Sequence, residues 1–110
     1  MTKLDPEFKA KWVAALRSGE YKQGQKYLRT KSDAYCCLGV ACKLLPVQWD
    51  GSASNNCIQA DGYSGVMPTQ HMTGIGLDED AQNTLINMND GAEGRTHTFA
   101  EIADYIEANL

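Results

Sequence analysis

Three of the four cysteines of this 110-residue chain, Cys36, Cys37 and Cys42, fall within "AYCCLGVACKLLP", residues 34–46. Thiols so closely spaced raise two chemistries, a metal site and a reactive thiolate. A structural zinc site wants four Cys or His ligands, usually as two close pairs such as C-x-x-C. Here Cys36 and Cys37 are adjacent, Cys57, His71 and His97 stand apart, and no pair has that spacing. On a helix Cys37 and Cys42 point about 140° apart, which keeps them from sharing one ion. Cysteine is among the residues most often buried and behaves as a small hydrophobe, so the spacing favours core packing. A reactive thiolate needs a lowered pKa, supplied by a helix N-terminus or a basic neighbour. Cys36 and Cys37 stand at an expected helix entrance with Arg29 and Lys31 nearby in sequence. They alone keep a thiol-dependent enzyme open as an alternative.

Other chemical motifs fail on spacing. "GEYKQGQK" has the glycine frame of a phosphate loop at Gly19 and Gly24, but Lys26 comes one place late and no Ser or Thr follows it. "GYSG" lacks the second glycine of a nucleophile elbow. In "NMNDGAEG", setting Gly94 at the sixth place of a calcium loop puts Ala100 where a bidentate Glu belongs. His71 and His97 are each solitary and read as surface or capping residues. No paired carboxylates share a helix face with a histidine, so no catalytic residue, metal ligand or cofactor is assigned.

What remains is binding chemistry. Lys22, Lys26, Arg29 and Lys31 could meet an anion, with Tyr21, Tyr27 or Tyr35 to stack on it. The candidate ligand- or partner-binding set is therefore Tyr21, Lys22, Gln23, Lys26, Arg29, Lys31, Cys36 and Cys37. Charge is polarised: residues 1–45 carry nine Lys or Arg against four acids, and residues 46–110 carry Arg95 against ten acids. Two functional faces would explain this, as would two halves that face each other. The basic residues are scattered, and the pI is near 5. Both features favour facing halves and make general DNA binding an unexpected role.

The elements that must position these residues follow from periodicity. Asp5 can cap a helix opened by Pro6, with Phe8, Trp12, Ala15 and Leu16 on one face and Gly19 at its end. "KYLRTK", residues 26–31, suits an edge strand or an extended connector, and Ser32 and Asp33 can start the next helix. Apolar positions nearly encircle Tyr35–Leu45, which predicts a buried helix stopped by Pro46. Gly39 within it fits a neighbour packing closely there. Residues 47–66 read as a long irregular loop, with a small hairpin inside it as the alternative. A short helix at 68–74 ends at Gly74. Asp78 then caps a helix with Ala81, Leu85 and Met88 inward, closed by Asn89–Gly94. Thr98 and Glu101 form a capping box ahead of Phe99, Ile102, Ala103 and Ile106. The last turn of that helix carries Glu107 and no cation, so a basic neighbour from residues 1–45 would relieve it.

The expected fold is α+β and predominantly helical: a single small domain, residues 1–110, of about four to five short helices. A minor β-hairpin or extended segment and one long irregular loop complete it. Composition is 43% hydrophobic and 22% charged, ordinary for a folded domain. No apolar run nears the roughly 20 residues of a membrane span, and "MTKLDPEFKAKW" lacks the features of a signal peptide. A cytoplasmic location with free thiols is expected.

The blocks "WVAALRSGEYKQG", "YLR", "YCCLGVAC", "MP" and "NDGAEGRTHTFAEIADYIEANL" span nearly the whole chain in order. They resemble the recurrent blocks of small uncharacterised proteins encoded by tailed bacteriophages and prophages. The resemblance implies a non-structural protein made in the host cytoplasm, of a kind that binds and modulates a host or anti-phage defence protein; the missing catalytic set, the long polar loop and the polarised charge point to binding without catalysis. An alternative is a binder of a small anionic ligand such as a nucleotide signal, or of nucleic acid.

Overall fold

The computed structural model describes residues 4–52, 57–91, 94 and 96–110. Parts of the amino-terminal segment, of the 47–66 loop and of the 89–100 calcium-loop frame lie outside the described residues.

The first helix, α1 (Pro6–Arg17), forms as its local signals dictate. Asp5 accepts the Phe8 amide at 2.9 Å, Pro6 fills the first turn, and Phe8, Trp12, Val13 and Leu16 are buried. The chain then runs through β1 (Lys22–Gln23) and a connector to β2 (Ala34–Tyr35), which pairs with β1 in parallel, Lys22 opposite Ala34 and Gln23 opposite Tyr35. Ser32 and Asp33 therefore do not start a helix. Asp33 adopts a left-handed φ of 62°, which breaks any helix, and the next two residues are held in the sheet. Residues 26–31 are neither an edge strand nor extended throughout: Lys26 takes a left-handed φ of 73°, only Arg29 and Thr30 make isolated bridges, to Tyr35 and Cys57, and Lys31 lies in the turn closed by the Asp33 amide on the Thr30 carbonyl.

Helix α2 (Cys37–Lys43) is shorter than the Tyr35–Leu45 expected from its apolar residues, because β2 takes the first of them. Cys37 through Cys42 are all buried, as the encircling apolar pattern requires. The connector crosses directly over Gly39: a Cβ there would lie 1.7 Å from the Leu28 carbonyl oxygen. From the other side, the Trp12 indole Nε1 of α1 donates to the Cys37 carbonyl at 3.0 Å.

The long loop does hold a small hairpin, β3 (Trp49–Asp50) antiparallel to β4 (Gln59–Ala60). Helix α3 (Thr69–Ile75) runs past Gly74 and ends at Gly76, whose φ of 80° supplies the left-handed stop. Helix α4 (Glu79–Asp90) is capped by Asp78 and ended by Gly91 at φ 73°. Its buried face is Gln82, Leu85 and Asn89, whereas Ala81 and Met88 are only half-buried. Asn89 thus lies inside the helix instead of closing it. Helix α5 (Phe99–Asn109) starts from the complete Thr98–Glu101 capping box and buries Phe99, Ile102, Ala103 and Ile106.

One hydrophobic cluster joins α1, α2, α4 and α5, with α1 lying most extensively along α5. Arg17 supplies the basic neighbour that α5 lacks, bonding Asp104 at 2.6 Å and Glu107 at 3.2 Å. The architecture is α+β and helix-rich: five helices and two two-stranded sheets among the described residues. No helix among them is long and apolar enough to cross a membrane.

Candidate functional site

The connector and the hairpin meet on one face, and Arg29 is where they meet. Its guanidinium carbon lies 5.5 Å from the centre of the Tyr35 ring and 5.3 Å from that of Trp49. The two rings stand 82° apart with centres 6.3 Å from each other. Tyr21 adds a third ring, edge-on to Tyr35 at 5.5 Å. Asp33 pairs with the guanidinium, one oxygen accepting from Nε at 2.9 Å and lying 2.8 Å from Nη2 in an ion pair. Cation–π attraction and a charge-assisted pair thus fix Arg29 in one orientation while 22% of its side chain stays exposed. Burial pushes the Tyr35 phenol up, an effect Arg29 partly offsets.

Lys31 continues the same edge. From the turn closed by the Asp33 amide on the Thr30 carbonyl at 3.0 Å, Lys31 donates its ammonium to the Gly51 carbonyl, two residues beyond the Trp49 that Arg29 covers. Between them runs a backbone bond, Ile58 N–H to the Arg29 carbonyl at 2.8 Å.

The remaining candidates do not converge on this face. Lys22 is exposed on β1. Lys26 is exposed with a left-handed φ of 73°, and its amide is tied to Asp90 at 3.0 Å. Gln23 turns inward, donating to the Asn89 side-chain oxygen at 3.1 Å and to the His97 carbonyl at 2.7 Å. Asn89 is fully buried and braces the whole region. Its oxygen also accepts the Cys37 amide at 3.2 Å, and its nitrogen donates to the Gly24 carbonyl at 2.8 Å.

Cys36 and Cys37 are buried, and the contacts of Arg29 and Lys31 among the described residues are with Asp33, the rings and Gly51, not with either thiol. Burial pushes the Cys36 thiol up to about 12 and the Cys37 thiol well above its ordinary value. Desolvation, which disfavours a thiolate, outweighs the helix entrance. The Cys37 amide that an anion would need there is taken by Asn89. Cys42 is likewise pushed up to about 12 by burial.

Sequence reasoning missed two partnerships. Trp49 stands twenty residues from Arg29, and no spacing in the sequence links the two. His71 is not solitary: its Nε2 lies 3.2 Å from Asp61, both side chains being largely shielded. Asp61 also accepts the Gln48 amide at 2.8 Å, the first cause of a carboxyl held below its usual range. The signal for that pair was the turn at "DG", residues 61–62, placing a carboxylate at a fixed corner. No hydroxyl or thiol hydrogen-bonds to His71 among the described residues, so the pair orients a histidine without a nucleophile. No cluster of three or more His, Cys, Asp or Glu suited to a metal occurs among them either.

The fold and this face define a small helix-rich α+β domain with an arginine clamped between aromatic rings at its surface. The chain belongs to the family described as a domain of unknown function, DUF8296, whose family model matches residues 4–70. That stretch holds Tyr21, Arg29, Lys31, Tyr35, Trp49 and Asp61, while Asn89, which braces them, lies beyond it. No curated protein and no solved structure matches the chain.

Proposed function

We propose that this is a non-enzymatic binding protein, of tailed-phage or prophage origin, which takes a host or defence protein onto the face formed by Tyr21, Arg29, Lys31, Tyr35 and Trp49. The carrying observation is the Arg29 guanidinium held 5.5 and 5.3 Å from two ring centres, partly exposed. Tyr, Trp and Arg are the residues enriched at the energetic centres of protein interfaces, where preorganised side chains lose little entropy on association. The phage setting comes from the resemblance of the sequence blocks and not from the geometry.

The nucleotide alternative is supported less. Lys22 and Lys26 are exposed and share no contact with Arg29 or Lys31 among the described residues, and Asp33 and Asp50 share the Arg29–Lys31 edge. Affinity capture from bacterial lysate, run with the native protein and with Trp49→Ala, tests the proposal. The expected result is a partner retained by the native protein and lost from the folded variant. Retention by both, or by neither, would sink it.

A further inference from the structure

We infer that the Arg29–Lys31 edge of this face recognises carboxylates, so that the partner presents an acidic segment. The inference rests on the binding-protein reading and goes on to name the chemistry of what binds.

A guanidinium carries five N–H donors and an ammonium three. Of those on Arg29, Nε and Nη2 are engaged by Asp33, and Nη1 makes no hydrogen bond among the described residues. His97 Nδ1 is the sole buried side-chain nitrogen or oxygen without a partner among them, so Nη1 is open to solvent. Lys31 spends one donor on Gly51 and keeps the others. The seat is built for that contact, since a Cβ on Gly51 would stand 2.9 Å from the Lys31 nitrogen. Two cations seated on one segment, Arg29 over Trp49 and Lys31 at the Gly51 carbonyl, therefore keep spare donors, each already anchored by the protein. An incoming acceptor meets groups whose rotamer freedom is largely gone.

Carboxylate suits this edge better than phosphate. Asp33 and Asp50 offset the two cations, which leaves a near-neutral field that rewards directed hydrogen bonds more than concentrated negative charge. Phosphate sites add a cradle of backbone N–H groups, and the nearest helix entrance has its Cys37 amide committed to Asn89.

The test follows the Arg29 Nε–Hε resonance of the full ¹⁵N-labelled chain during titration with the capped peptide acetyl-Glu-Gly-Glu-amide. Acetyl-Gln-Gly-Gln-amide and inorganic phosphate are the comparison probes. A saturable shift is expected with the acidic peptide, at least about tenfold tighter than with the glutamine peptide, and weakened by salt. Lys31→Gln, checked for an unchanged amide spectrum, should weaken it several-fold while leaving Arg29 in place. No shift at Arg29, equal binding of the glutamine peptide, or phosphate binding as tightly as the acidic peptide would each overturn the carboxylate assignment. If the peptide leaves Arg29 unmoved while capture still depends on Trp49, the binding-protein reading stands and the acidic partner falls. If capture fails too, both fall.

Discussion

The side-chain oxygen of Asn89 accepts the backbone amide of Cys37 at 3.2 Å, joining the end of α4 to the entrance of α2 across 52 residues. The same side chain bonds Gln23 and the Gly24 carbonyl, so one buried amide fixes β1, α2 and α4 together. Replacing Asn89 by Ala strands several buried polar groups at once. The expected loss is about 3 kcal/mol, the sum of unmade bonds and unrelieved desolvation. Urea denaturation measures it; a loss below about 1 kcal/mol would mean that water substitutes for the amide.

Gly39 is the point where α2 and the connector touch backbone to backbone. With a Cβ placed 1.7 Å from the Leu28 oxygen, Gly39→Ala must push the connector off the helix. The usual helical gain of Ala over Gly, about 1 kcal/mol, is expected to be reversed into a loss of about 3 kcal/mol. A Gly39→Ala protein as stable as the native one would show that the crossing is looser than described.

The buried thiols give the protein an alkaline limb. Cys36 is pushed from its ordinary value of 9.0 up to about 12, so in the folded state it keeps its proton where the unfolded chain loses it. Stability from this group is present in full below pH 9 and is lost as pH rises through about 12. Urea midpoints taken from pH 8 upward are expected to fall more steeply for the native protein than for Cys36→Ala. The native thiols should resist iodoacetamide until the chain unfolds. Rapid alkylation at neutral pH in the absence of urea would instead revive thiolate chemistry.

Asp61 acts on the acid side. Its carboxyl is held low chiefly by the Gln48 amide, then by His71, so its contribution is present above its ordinary value of 3.8 and is lost as pH falls through the lower folded value. The protection of the Gln48 amide, its exchange rate measured against the intrinsic rate at each pH, should fall in acid. Asp61→Asn should flatten that dependence, since an amide oxygen still accepts but does not titrate. An acid response that survives the substitution unchanged would assign the effect to another group.

Legibility in the sequence followed the range of the interactions. Helices α1 and α5 could be read almost to the residue because Asp5 with Pro6, and Thr98 with Glu101, are caps that act within one turn. Helix α2 was placed by its apolar residues, yet its start was misjudged, since β2 exists only through pairing with β1 twelve positions away. The inner face of α4 escaped hydrophobic pattern reading because Gln82 and Asn89 are polar. Their backbone partners, Met67, Gly24 and Cys37, come from distant segments. Arg29, Lys31, Tyr21 and Tyr35 were legible as types. What gathers three of them into one face is a hairpin of two-residue strands, whose short span leaves almost no periodicity to detect.

Helix α1 lies along α5, whereas the family model closes at residue 70. A fragment trimmed to that boundary would keep Phe8, Val13 and Leu16 but discard Ile102, Ala103 and Ile106 of the cluster that encloses them. It would also leave the amides that Asn89 and Gln82 now satisfy without acceptors. The homologous stretch is thus a unit of descent and not a unit of folding. Any expression strategy built on it must carry the chain through its last helix.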